Sequence, residues 1–267
     1  MTIRIKLCVV ALFALLGTMA FAAMNGPTGV AVDTKGNLYV ANFNSNQILV
    51  YGPTHKLIKA KTITKDVSGP LAVATDAQNN VYVANFTAST ITEYNSAGTE
   101  VNSFTSHISG PTGLSVDAFG DIWVINNASS LIALDPAGAI LATIPASAVA
   151  GATTLYSVAV TTVFEIGSNA AMTVNYASDA LVFLNPSALG VPGDHGKAVA
   201  VDASSAFYAA DGNGTIWKNF SPLSFTLSYM PSGMAADSAH SLLYFSNNAT
   251  NKVDVYTMAG TLVTTLQ

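Results

Sequence analysis

Apolar and polar positions alternate in short bursts along this chain. Val30-Ala31-Val32, Leu38-Tyr39-Val40 and Ile48-Leu49-Val50-Tyr51 are separated by Thr34-Lys35-Gly36-Asn37 and Asn44-Ser45-Asn46, and Gly52-Pro53-Thr54 follows. Brief β-branched and aromatic runs bounded by Gly, Pro, Asn and Ser read as strands and turns. The spacing predicts four strands here, over residues 30–33, 38–42, 47–51 and 56–63.

The same unit then recurs. Gly69-Pro70-Leu71-Ala72-Val73-Ala74-Thr75-Asp76 opens a second copy and Gly110-Pro111-Thr112-Gly113-Leu114-Ser115-Val116-Asp117 a third. The Asp closing the first strand falls at 33, 76 and 117, a period of 43 and then 41 residues. A worn fourth copy has its first strand over 155–160, with Thr161 in place of Asp. An insertion around 164–170 is expected to delay its second strand to 172–176, with a third at 181–184 and an abbreviated fourth. Copies five and six carry Asp202 and Asp237.

Four strands every 40 residues or so is the propeller pattern. The expected fold class is all-β, a six-bladed β-propeller of four-stranded antiparallel blades. The blades run over about 26–68, 69–109, 110–150, 151–194, 195–230 and 231–267. The first unit begins on its first strand and the last ends on its fourth, so the ring is expected to close without strand exchange.

Composition adds a leader. Arg4 and Lys6 precede the apolar run 7–16, and Ala20-Phe21-Ala22 is a small-x-small cleavage site. Residues 1–22 read as a secretory signal peptide cut after about Ala22, which implies a secreted or periplasmic protein with no membrane anchor after cleavage. The one Cys, Cys8, lies in the leader. The remainder holds eight Lys and no Arg against 15 acidic residues, a net charge of −7. Without the guanidinium fork and with negative charge, nucleic acid is a poor partner.

The frame Pro-x-Gly-Val-Ala-Val-Asp-x-x-Gly-Asn-Leu-Tyr-Val-Ala-Asn, followed by Ile-x-Val-Tyr, resembles the NHL repeat. The resemblance covers 26–267, strongly in the first three copies, and implies a propeller while leaving function open. Gluconolactonase-like propellers, a more distant likeness, hold a metal near the axis. They often place Asn or Asp inside Pro-x-Gly. Here those places hold Thr28, Leu71, Thr112 and Ser232, poor ligands for a hard cation. No metal and no cofactor is expected.

Two sets of polar residues remain. Asp33, Asp76, Asp117, Asp202 and Asp237 suit turns, where a carboxylate accepts nearby N–H groups. Asn42, Asn85, Asn126 and Asn247, with Asp211 and Asn175 in the matching places, end second strands and open loops expected on one face of the ring. With Phe43, Phe86 and Tyr176 among them, this face is the expected binding surface for a carbohydrate, peptide or protein. Asp194-His195 is the densest remaining chemistry, on the same face. His55 and His240 are expected on the opposite face. The alternatives are a metal-dependent lactone hydrolase or lyase with a divergent axial site, and a scaffold of an envelope assembly. Oligomeric state is not legible.

Overall fold

The computed structural model describes residues 23–148, 155–160, 163–167, 171–175, 180–184, 198–204, 206–219 and 221–267. Each sheet is antiparallel and made of consecutive strands. The first contains β1 (Pro27–Val32), β2 (Leu38–Asn42) and β3 (Gln47–Tyr51). The second contains β4 (Pro70–Thr75), β5 (Val81–Asn85), β6 (Thr90–Tyr94) and β7 (Glu100–Phe104). The third contains β8 (Pro111–Val116), β9 (Ile122–Asn126), β10 (Ser130–Leu134) and β11 (Ile140–Pro145). The fourth contains β12 (Leu155–Val160), β13 (Val163–Gly167), β14 (Ala171–Asn175) and β15 (Ala180–Leu184). The fifth contains β16 (Ala198–Val201), β17 (Phe207–Ala210), β18 (Thr215–Lys218) and β19 (Ser221–Thr226). The last contains β20 (Gly233–Asp237), β21 (Leu242–Asn247), β22 (Lys252–Thr257) and β23 (Leu262–Leu266).

The second strands show why the sheets stack. All five residues of β2 are buried. Successive side chains point to opposite faces of a sheet, and both faces are covered. Leu38 and Val40 pack with Ala235, Tyr244 and Val253 of the last sheet, while Tyr39 and Ala41 pack with Val73, Val81 and Val83 of the second. The continuous apolar run is therefore the mark of a strand sandwiched between two blades. The fourth strands are outermost and alternate between half-covered and exposed positions, as in β7 and β19.

The first strands pack in sequence, β1 on β4, β4 on β8, then β12, β16 and β20, and β20 returns to β1. No strand of the first sheet joins the last. Pro27, Pro70 and Pro111 each open a register shift between first and second strands, at Pro27/Val30, Pro70/Ala72 and Pro111/Gly113. Proline has no N–H for the ladder, so a bulge is the place for it.

Two expectations are corrected. Among the described residues there are not six blades of four strands but five such blades and a first sheet of three. The segment expected as a fourth strand at 56–63 touches β3 through only two isolated bridges, Ile48↔Ile63 and Tyr51↔Leu57. A 3-10 turn at Lys59–Lys61 lies between them. The stretch opposite 48–51 is too long to stay in register, so the surplus bulges out and no strand forms. In the fourth sheet, the stretch read as an insertion contains its second strand, β13. This moves residues 171–175 to third place and 180–184 to fourth. β13 follows Thr161 where its counterparts follow a turn opened by Asp, and it lacks the Asn or Asp that closes or directly follows each of them.

Candidate functional site

The second-to-third-strand loops and the approaches to the first strands share one face, and hydrogen bonds show how. The Asn42 carbonyl oxygen accepts from Asn25 N–H at 2.5 Å, and its amide donates to the Ala23 carbonyl at 3.2 Å. Asn85 does the same to Ser68 N–H and the Asp66 carbonyl, at 3.0 and 3.2 Å. Asn126 repeats it with Ser109 N–H and the His107 carbonyl, at 2.6 and 2.9 Å. Each Asn is a clip that pins the strand-entering segment of its own blade. Asn42 and Asn85 are fully buried. These amides are occupied within their own blades.

A second ring of bonds joins neighbours. Asn46 accepts from Gly69 N–H at 2.7 Å, Ser89 from Gly110 N–H at 3.1 Å, and Asn251 from Gly26 N–H at 2.7 Å. All three acceptors are in the left-handed region, with φ of 51°, 55° and 56°. The seam between the last and first blades is thus clasped like the internal ones.

Asn247 and Asp211 depart from the pattern. Asn247 caps a 3-10 turn by accepting from Thr250 N–H at 3.2 Å. Asp211 accepts from Asn213 N–H, Thr215 N–H and the Trp217 indole, at 2.9, 2.9 and 3.0 Å. Asn175 closes a third strand, so it does not correspond to Asn42. Tyr176, Asp194 and His195 lie outside the described residues. What projects from this face is Phe86, 39% exposed, with half-buried Phe43 one blade away. The Phe86 ring covers Gly110 and lies near Asn127.

At the axis, the described wall of the channel carries Val30, Val73, Leu114, Val158, Val199 and Met234, around cavities of about 160 and 60 Å³. Two of the hydroxyls inside Pro-x-Gly are engaged between blades, while Thr112 donates within its own sheet to the Ile125 carbonyl at 3.5 Å. Thr28 donates to the Pro70 carbonyl at 3.0 Å, and Ser232 to the Pro27 carbonyl at 3.1 Å. Among the described residues no three His, Cys, Asp or Glu side chains are grouped as a metal site would require.

On the opposite face four of the turn Asp residues are hubs of one pattern, while Asp237 instead accepts from His240 N–H at 3.1 Å. Asp33 accepts from the N–H groups two and four residues on, at 2.9 and 2.8 Å, and from the Tyr39 hydroxyl six residues on, at 3.1 Å. Asp76, Asp117 and Asp202 repeat the offsets, with Tyr82, Trp123 and Tyr208 in sixth place. The sixth-place aromatic was missed in the sequence, although Asp-x5-Tyr/Trp was its visible signal. In the first two turns an Asn amide also donates to the Asp, from Asn37 at 2.7 Å and Asn80 at 2.8 Å. The third turn has Asp121 there instead. Burial first, then the charges of Asp117 and Asp135, push the Asp121 carboxyl above its ordinary range. A group so raised contributes its stability at low pH and loses it as pH rises through the folded value. Asp121→Asn is therefore expected to stabilise the protein by about 1 kcal/mol at neutral pH. In urea titrations that gain should shrink on acidification, and equal midpoints at neutral pH would count against the hub reading.

A family model for the NHL repeat matches residues 24–51. The fold is a β-propeller, and its first unit is similar to the NHL repeat. Solved structures agree on the fold. Streptogramin B lyase superposes with a TM-score of 0.67 at 13% identity, over 93% of this chain and 85% of that one. Virginiamycin B lyase from Staphylococcus aureus gives 0.65 at 14%, over 90% and 84%. Kuenenia stuttgartiensis hydrazine synthase gives 0.64 at 13%, over 92% and 99%. At such identities the likeness shows architecture alone. No curated protein matches the chain by sequence.

Proposed function

We propose that this propeller is a secreted or periplasmic binding module that works without catalysis. Its loop face takes a neutral ligand, a saccharide or an uncharged extended peptide, by apolar contact flanked with hydrogen bonds. The observation that carries this is the exposed Phe86 beside half-buried Phe43, on a face built from Asn, Ser and Thr. An aromatic ring among uncharged polar groups gives both kinds of contact. The Asn clips hold the loops that present the rings.

Arrays of neutral glycans and uncharged peptides, probed with the secreted protein, separate the two ligand classes. Phe86→Ala is expected to weaken binding about tenfold, near 1.4 kcal/mol. Phe119→Ser, on the opposite face and 76% exposed, should leave it unchanged. The proposal fails if Phe119→Ser abolishes binding and Phe86→Ala does not affect it. A lyase is the second reading, favoured only by the shared fold. The described channel wall, of aliphatic side chains and Met234 with the hydroxyls of Thr75, Thr112, Ser115 and Ser232, offers no imidazole or carboxylate for proton transfer.

A further inference from the structure

The chain runs from each sheet directly into the next, so the first and last sheets form the one blade boundary that no chain crosses. On the face away from the binding loops, this seam is bridged by two histidines in opposite directions. His240, in the turn between β20 and β21, lies against Gly36 of the first sheet, where a Cβ would come within 2.9 Å of its ring. Its Nδ1 is 2.7 Å from Asp237 Oδ2. His55, in the turn after β3, reaches the other way. Its Nε2 is 3.5 Å from the Tyr244 hydroxyl of β21, and the two rings meet edge-on with centroids 6.0 Å apart. Tyr244 itself belongs to the apolar cluster shared by the first and last sheets.

The two imidazoles are not equivalent. Asp237 can offset a charge on His240 directly. The hydrogen-bond partner of His55 is a tyrosine. Neutral His55 accepts from that hydroxyl, whereas a charged ring must donate to it and forces the hydroxyl to find another acceptor. Facing His55 are Tyr244 from β21 and Asp237 and His240 from the preceding turn. Nearby in the chain, exposed Lys56 follows His55, and exposed Lys35 precedes Gly36. One carboxylate thus serves two imidazoles with lysines alongside.

We propose that His55 and His240 form an acid-sensitive latch on the ring seam: both bridge the first and last blades, and protonation of His55 loosens that boundary. Burial, partly offset by Asp237 and reinforced by His240, holds His55 below the ordinary imidazole value. The sign follows. The unfolded chain takes up this proton before the folded one does. The His55 contribution is therefore complete above the unfolded value, near 6.5, and falls as pH drops below it.

Native-state hydrogen exchange read by mass spectrometry tests the latch. Between pH 7.5 and 5.5, after correction for intrinsic rates, the segments 27–42 and 242–257 are expected to lose protection several-fold more than 81–94. In His55→Gln, which stays polar and cannot ionise, the difference should vanish. Equal loss in all blades, or an unchanged difference in His55→Gln, overturns the proposal. If that variant fails to fold, an NMR titration of His55 in the wild-type protein decides. A midpoint below that of an unfolded-chain histidine supports the latch, and one at or above it removes it.

Discussion

Replacing Gly233 by alanine is expected to cost about 3 kcal/mol and to strike the ring seam specifically. A methyl there would press on the Thr28 carbonyl oxygen and lie 3.0 Å from Gly29 Cα. Both are backbone atoms of the first inner strand, which cannot rotate away as a side chain can. The Thr28 carbonyl also accepts the Ser246 hydroxyl, so any shift breaks a buried bond. Gly29 makes the same close approach one boundary on, where a Cβ would be 2.7 Å from Ala72 Cα. Gly52→Ala is the comparison. Its nearest neighbour would be the end of the flexible Ile58 side chain at 3.3 Å, and its cost should stay within about 1 kcal/mol. Urea midpoints for the two variants read the result. If Gly233→Ala and Gly52→Ala destabilise equally, close packing of inner strands does not limit this ring.

Removing a turn hub should be costlier still. Asp202→Ala is expected to lose about 4 kcal/mol, because several donors lose one acceptor together. Asp202 receives Ser204 N–H at 2.9 Å, the Ser204 hydroxyl at 2.6 Å, Ala206 N–H at 3.0 Å and the Tyr208 hydroxyl at 3.1 Å. Tyr208 is fully buried and cannot turn to water. Asp202→Asn should cost roughly 1–2 kcal/mol, since Oδ1 survives and the tyrosine hydroxyl can accept the new amide. Charge adds a pH dependence. Burial pushes the Asp202 carboxyl up, but its hydrogen bonds outweigh burial and hold it below the usual range. A carboxylate so lowered contributes its full stability above the unfolded value and loses it as pH falls through the folded one. The gap between wild type and Asp202→Asn should therefore narrow only in acid. A gap that is flat from neutral pH into acid would show that the charge itself contributes nothing.

How much of this was legible beforehand differs by residue. The turn role of the Asp residues was readable, because each hub reaches only two, four and six positions along the chain. The third turn's flaw, Asp121 where Asn37 and Asn80 stand, is visible in the same way. Asn42, Asn85, Asn126 and Asn247 were read correctly as ends of second strands, whereas Asn175 closes a third. The partners of the first three, 17 and 19 positions back, depend on how the entering segment folds over the blade. As a result, a row of amides that looked available for a ligand turned out to be largely engaged in holding the loops.

By itself the sequence determined the strands, the period, the apolar second strands and the turn hubs. All are set by alternation and turn chemistry within a few residues. Tertiary structure decided whatever depends on one blade meeting another. It left the first sheet at three strands, because a 3-10 turn takes the segment opposite β3 out of register. It turned Thr28 and Ser232 toward neighbouring carbonyls, and it brought His55 to Tyr244 across 189 residues of chain. No local pattern encodes such contacts, since they follow from the packing of whole sheets around a common axis.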